Sequence, residues 1–215
     1  MVKRVVIYVC GLFMVSLGIV LCKKCNLGIS PISSIPFVLE LITRIPFGTL
    51  TMLFHLVNIT LQLFLVRSVW DMKILLQIPV AVLFGRVINM MQYIIEIDDT
   101  KFINQWLALV LSILFTGLGM ACMLNMHLVQ NPPDGLVSEV ARIRKLEFGR
   151  VKVVYDMITL VISILLGGVF LHRISGIGAG TVVSALAVGK VSDLFKKKIG
   201  TYESGCIKGK QLKQL

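Results

Sequence analysis

Long apolar runs separated by short polar stretches set the rhythm of this chain. Five runs cover residues 5–22, 50–66, 74–95, 102–126 and 151–171. About 20 apolar residues at 1.5 Å rise cover the hydrocarbon core of a bilayer, so each run predicts a membrane-spanning helix. A sixth run, 177–195, is richer in Gly, Ala and Ser. Small residues suit membrane helices that pack closely, and this run is counted as a sixth span. Residues 28–46 are too apolar for an ordinary loop and too interrupted to span. Their pattern predicts a short helix over 36–44, started at Pro36 after Ser33 and Ser34, stopped by Pro46, with Glu40 and Arg44 one turn apart on one face. A second short helix is predicted after Pro133 and Asp134, ending at Phe148-Gly149.

The same pattern occurs twice. Leu17-Gly18, Pro31 and Phe47-Gly48 return as Leu118-Gly119, Pro132 and Phe148-Gly149, each 101 residues later. Gly85 to Asn89 returns as Gly189 to Asp193, 104 residues later, the extra residues falling in the glycine-rich stretch 175–181. Each copy reads as span, short helix, span, span. An odd number of spans turns the second copy upside down, so the predicted fold is all-α: six transmembrane helices in a 3+3 inverted repeat, with one short interfacial or re-entrant helix per repeat. The expected organisation is a first repeat over 1–100, a second over 101–200 and a basic tail over 201–215.

Composition agrees with a membrane chain and adds an orientation. Mean hydropathy is +0.88, with 56% hydrophobic and 15% charged residues, outside the balance of a soluble domain. The net charge of +11 is read as the cytoplasmic excess of Lys and Arg that membrane proteins carry, not as a nucleic-acid surface. With both termini inside, Lys3, Arg4, Arg67, Lys73, Arg142, Arg144, Lys145, Arg150, Lys152, Lys196 to Lys198, Lys208, Lys210 and Lys213 fall on the cytoplasmic side, against Lys23, Lys24, Arg44, Lys101 and Arg173 outside. Glu96, Asp98 and Asp99 also fall outside. The first run is read as a retained span rather than a signal peptide, being long for one and lacking a small-residue cleavage site. Cys22-Lys-Lys-Cys25 offers two of the four ligands of a structural zinc site and has no βαβ context. No metal, cofactor or enzyme motif is found, so none is expected.

Polar residues inside the spans carry the functional reading, because an ionisable group at membrane depth is costly unless paired or facing protein or water. They fall into repeat-related pairs. His55 corresponds to Asp156 and Asn58 to Thr159; Arg86 corresponds to Lys190 and Asn89 to Asp193. These eight residues are candidates for lining a cavity between the halves, with His55 and Asp156 handling a proton or ion and Arg86 attracting an anionic group. The bland alternative is that His55 and Asp156 satisfy each other, and that Lys190 and Asp193 sit near a span end. Ser30, Ser33, Ser34, Asn131 and Asp134 stand at the starts of the short helices. There they either meet a substrate or cap helices lying flat in the interface.

Gly28-x-Ser30-Pro31, Gly48, Pro133-Asp134 and above all the run from Gly176 to Phe195 resemble the YczE/YyaS/YitT family of bacterial membrane proteins, closest to the YczE branch. Ala179 and Lys190 depart from its pattern. The resemblance implies a polytopic protein of the bacterial cytoplasmic membrane, with poorly defined activity. The expected function is a small-solute transporter or exporter with its site between the inverted halves. The alternative is a non-transporting accessory or regulatory protein that acts through a protein partner. The bilayer and an unidentified small solute or ion are the expected partners, and self-association or a membrane partner is left open.

Overall fold

A computed structural model describes residues 2–66, 72–97, 101–126, 128–172, 176–192 and 194–195. Asp193, Arg67, Asp98, Asp99, Arg173, Lys196 to Lys198 and the expected tail 201–215 lie outside the described residues. The elements are α1 (Val2–Lys24), α2 (Pro31–Thr43), α3 (Phe47–Val66), α4 (Met72–Leu75), α5 (Gln77–Ile94), α6 (Phe102–Met126), α7 (Pro132–Arg144), α8 (Phe148–Leu166, continued by a π-turn over Gly167–Leu171) and α9 (Ala179–Ser192). No strand occurs among the described residues. Five helical segments are long and apolar enough to cross a membrane: α1, α3, α4 with α5, α6, and α8 with its π-turn. Among the described residues, the segment expected as a sixth span is helical over 14 residues in α9, about 21 Å at 1.5 Å per residue, and again at 194–195.

α1 and α6 form the central pair, and small residues bring them together. A side chain at Gly11 would lie 2.8 Å from the Gly119 carbonyl, and one at Gly18 would collide with Ser112 and Thr116. The partner number falls as the α1 number rises, so the two helices run antiparallel. α5 packs on α1 in the parallel sense, since Lys23 and Lys24 meet Gln92 and Ile95. α3 packs antiparallel on α5 where Gly48 faces Gly85, and α6 carries α9 where Gly117 faces Val191. Leu12, Val20, Phe47, Phe84 and Ile88 fill the core between α1, α3, α5 and α6.

The short helices share their local geometry. α2 and α7 each have 13 residues, each begins with proline after a residue in extended backbone, and each ends on a left-handed residue, Arg44 (φ 63°) or Lys145 (φ 53°). Proline suits the first position because its missing N–H would be unpaired there anyway. Two expectations are corrected here. α2 starts at Pro31 and runs through Pro36, with the Ser34 hydroxyl donating to the Pro31 carbonyl at 2.7 Å. Arg44 therefore leaves the helix as its left-handed end, and Glu40 pairs with Lys23 instead, at 2.6 Å. Neither Ser30 nor Asn131 makes a side-chain cap.

Both short helices are buried at their N-terminal halves and exposed at their ends. Pro31, Ser33, Ser34, Pro36 and Val38 are buried in α2; Pro132, Pro133, Gly135, Leu136, Val137 and Ala141 are buried in α7. Thr43, Arg44, Arg142 and Lys145 are exposed. α2 packs on α8 and α3, and α7 packs on α3 and α8. The four helices thus form a ring in which the two long members each touch both short ones.

Candidate functional site

Two stripes of polar side chains face into this ring. On α3 the stripe is Thr51, His55, Asn58 and Gln62, all 3% exposed or less. On α8 it is Lys152, Asp156, Thr159 and Ser163. Steps of four, three and four residues keep each stripe on one helix face. Each α8 member lies 101 positions after its α3 counterpart. The rest of α8 is apolar and outward: Val153, Val154, Met157, Ile158, Val161, Ile162 and Leu165 are exposed. The polar stripe turns toward protein together with Tyr155 and the half-buried Val151 and Leu160, the direction expected of polar groups when the outer face meets lipid.

The α8 stripe is charged and tied to α7. Lys152 Nζ lies 3.2 Å from Asp134 Oδ1 and 3.1 Å from Asp156 Oδ1, with the three side chains 13–22% exposed. Its ammonium also sits 5.6 Å from the centre of the Tyr155 ring, a favourable placement for a cation. Tyr155 reaches across to the other stripe, its hydroxyl donating to Asn58 Oδ1 at 2.7 Å. Asn58 is held in turn by donating to the Phe54 carbonyl. Thr159 donates to the Asp156 carbonyl, and Ser34 Oγ of α2 lies 3.5 Å from the Thr159 carbonyl. An ionised group at the centre of a membrane helix costs about 2.5–3.5 kcal/mol on insertion scales, so three of them in contact need mutual neutralisation.

The α3 stripe is neutral. His55 stacks on Phe84, with ring centres 5.3 Å apart, and its Nδ1 is buried without a hydrogen-bond partner. Gln62 and Gln77 exchange two hydrogen bonds of 3.0 Å, and Gln62 Nε2 also donates to the Pro132 carbonyl at 2.9 Å. These amides lie directly against Gly135. They tie α3 and α5 to the first turn of α7 and leave neither glutamine side chain unsatisfied.

The expected site residues divide clearly. His55, Asn58, Asp156 and Thr159 lie on the inward stripes, and Asp134 joins them from α7. His55 and Asp156 do not satisfy each other: Asp156 pairs with Lys152 and His55 stacks on Phe84. Asn89 holds the start of α3, accepting from the Gly48 amide at 2.8 Å and donating to Thr49 at 3.0 Å. Arg86 and Lys190 are exposed on their helices, away from the stripes. Lys152, Tyr155, Gln62, Gln77, Thr51 and Ser163 were not anticipated. Extending the 101-residue correspondence one step outward from its central pairs reaches four of them.

A second charged group lies where α1 and α5 end. Lys23 pairs with Glu40 at 2.6 Å, donates to Gln92 Oε1 at 2.9 Å and sits 4.8 Å from the Phe47 ring centre. Lys24 donates to the Ile95 carbonyl. Lys23, Phe37, Glu40, Leu41, Arg44 and Leu171 line a cavity of about 550 Å³ there. Beside it the Cys22 and Cys25 thiols are free and buried, each bonded to a backbone carbonyl. The hydrogen bond with Cys22, together with backbone bonds, draws the Cys25 thiol down to about 7. Among the described residues no three His, Cys, Asp or Glu side chains converge on a metal position.

A family model described as a family of unknown function, DUF6198, matches residues 2–197. The chain belongs to that family. No curated protein and no solved structure matches it. The family match spans every element of this DUF6198 chain, from α1 through α9, including both stripes and both short helices.

Proposed function

We propose that this DUF6198 chain is a small-solute transporter of the bacterial cytoplasmic membrane, with its site between two inverted three-span halves. The carrying observation is the pair of inward polar stripes, Thr51-His55-Asn58-Gln62 and Lys152-Asp156-Thr159-Ser163, set at identical spacing on α3 and α8. Transporters of inverted-repeat architecture bind substrate at the interface of their repeats, beside interrupted or partial helices. Here the buried N-terminal halves of α2 and α7 meet the two stripes, which favours a re-entrant placement over one flat in the interface.

Three features support the inverted arrangement. α1 and α6, the first helices of the halves, run antiparallel. The bounds of α2 and α7, their left-handed ends and the starts of α3 and α8 all correspond at 101 residues. The packing is reciprocal, α2 on α8 and α7 on α3. On this reading α9 belongs to the sixth span, both termini are cytoplasmic, and the resemblance of 176–195 to the YczE branch reflects shared architecture.

Two experiments test the proposal. Thr43→Cys and Lys145→Cys, placed singly in a background free of native cysteine, should label from opposite sides of the membrane; same-side labelling removes the inverted arrangement. A metabolite and ion panel should contain a solute that stabilises the purified protein and crosses proteoliposomes, and Asp156→Asn should abolish both. If no solute does either while Asp156→Asn still complements a deletion strain, the chain acts through a protein partner instead.

A further inference from the structure

The charged cluster inside the ring does not balance. With both carboxyls ionised, Asp134 and Asp156 carry two negative charges and Lys152 one positive, so the cluster would stand at −1, its side chains 13–22% exposed. Among the described residues, no other charged group faces Asp156. From α7 comes Asp134 and from its own helix Lys152; Ser34 of α2 reaches the Thr159 carbonyl, Asn58 of α3 takes the Tyr155 hydroxyl, and His55 of α3 stacks on Phe84. Arg86, expected to attract an anionic group, is exposed on α5. A lone negative charge in this setting is unfavourable, and one more positive charge removes the cost.

The fold itself does not require these charges. The positions equivalent to Asp134, Lys152 and Asp156 in the first half are Ser33, Thr51 and His55, all buried and all uncharged. The same scaffold position is therefore satisfied by neutral side chains once in this very chain. Polar capacity is also left over elsewhere on the two stripes. Ser163 Oγ, two turns along the inward face of α8, is 1% exposed with no hydrogen-bond partner, and His55 Nδ1 on the facing stripe is equally unpartnered. An ammonium already fits between the two carboxylates, since that is where Lys152 Nζ sits.

We infer that the Asp134–Lys152–Asp156 cluster is a site for one small monovalent cation, exchanged against one proton. With the site empty of cation, a proton on the carboxylate pair brings the cluster to neutrality. When a cation arrives, the carboxyl O–H bond breaks, the proton leaves to water, and the cation takes its place. Lys152 keeps its proton throughout, and no other bond changes. The cluster is neutral in both loaded states and −1 when it holds neither. Only the loaded states reorient readily through a low-dielectric interior, so the chemistry is exchange rather than one-way leakage. Proton and cation compete for one charge, so cation affinity rises with pH. The binding part of this inference stands by itself; the exchange part rests on the transport reading above.

The test is proton release from the purified full chain in weakly buffered detergent, read with a pH indicator on adding Na⁺, K⁺ or methylammonium chloride. N-methylglucamine serves as the bulky control. At least one of the three small cations should release about one proton per cation bound, and comparing the three separates an alkali ion from an ammonium-bearing solute. Asp156→Asn leaves a neutral Asp134–Lys152 pair, so it should abolish release while raising the thermal midpoint. A merely structural ion pair predicts the opposite, a lower midpoint. The inference is overturned if no small cation releases protons, or if Asp156→Asn releases as many as the natural sequence. Release without flux in proteoliposomes keeps the cation site and sinks transport. Flux of an uncharged or anionic solute without release keeps transport and sinks the cation site.

Discussion

α3 and α8 occupy equivalent places in the 101-residue correspondence, yet among the described residues one is held tightly and the other is not. α3 is held against α5 by backbone contact at Gly48 and Gly85, by Asn89 at its first turn, and by the Gln62–Gln77 amide pair near its last. The counterparts of those glycines, Gly149 and Gly189, have nothing among the described residues within 4 Å of an added side chain. One third of the apolar window of α3 is buried against 17% for α8. The neutral stripe lies on the locked helix and the charged one on the loose helix. The charged stripe thus lies on the helix with the smaller buried share.

The largest blow to this comparison is at the charge cluster. Lys152→Met should cost about 3–5 kcal/mol, because two carboxylates are left without their cation, whereas Thr51→Val at the equivalent α3 position should cost about 1 kcal/mol. Equal losses in detergent unfolding would mean that the halves are energetically alike. Next come the glycines. Gly48→Ala should destabilise by about 1–3 kcal/mol, since its side chain would strike the Gly85 carbonyl and Asn89, while Gly149→Ala should be neutral or slightly stabilising. A destabilising Gly149→Ala would show that the start of α8 is packed after all.

A smaller effect sharpens the account of the lock. Gln62→Leu alone should cost about 1–3 kcal/mol by orphaning Gln77, and adding Gln77→Leu should recover part of that loss. Additive losses in the double variant would show that the amides do not act as a pair. Smallest of all, Arg86→Ala should shift stability by less than about 0.5 kcal/mol and leave solute response unchanged. A large effect there would return Arg86 to the site and cancel the −1 charge.

Much of the fold is legible in the residues. The apolar runs locate the five long helices within a few residues, and the 101-residue correspondence pairs Pro31 with Pro132, where α2 and α7 begin, although the pattern predicts the first short helix only from Pro36. The site is legible only at its centre. His55–Asp156 and Asn58–Thr159 stand out because ionisable and amide groups are rare inside apolar runs. Lys152 does not, since a lysine near a helix start reads as an interfacial cation. Arg86 misleads for the converse reason: charge inside an apolar run marks a residue as costly, and says nothing of which helix face carries it.

Hydrophobic length, proline placement and small-residue positions are local properties, and they determine which segments are helical and where they begin and end. Rotation of each helix about its axis and the choice of partner are not local. Whether Glu40 takes Arg44 or Lys23, whether Arg86 faces in or out, and which carboxylates share Lys152 depend on how the α1–α6 pair sets the rest of the bundle. Those choices settle which charges meet: Glu40 with Lys23, and Lys152 with both Asp134 and Asp156. No stretch of chain contains the information alone, because Lys23 and Glu40 lie 17 residues apart, and Lys152 and Asp134 18 apart, on separate helices.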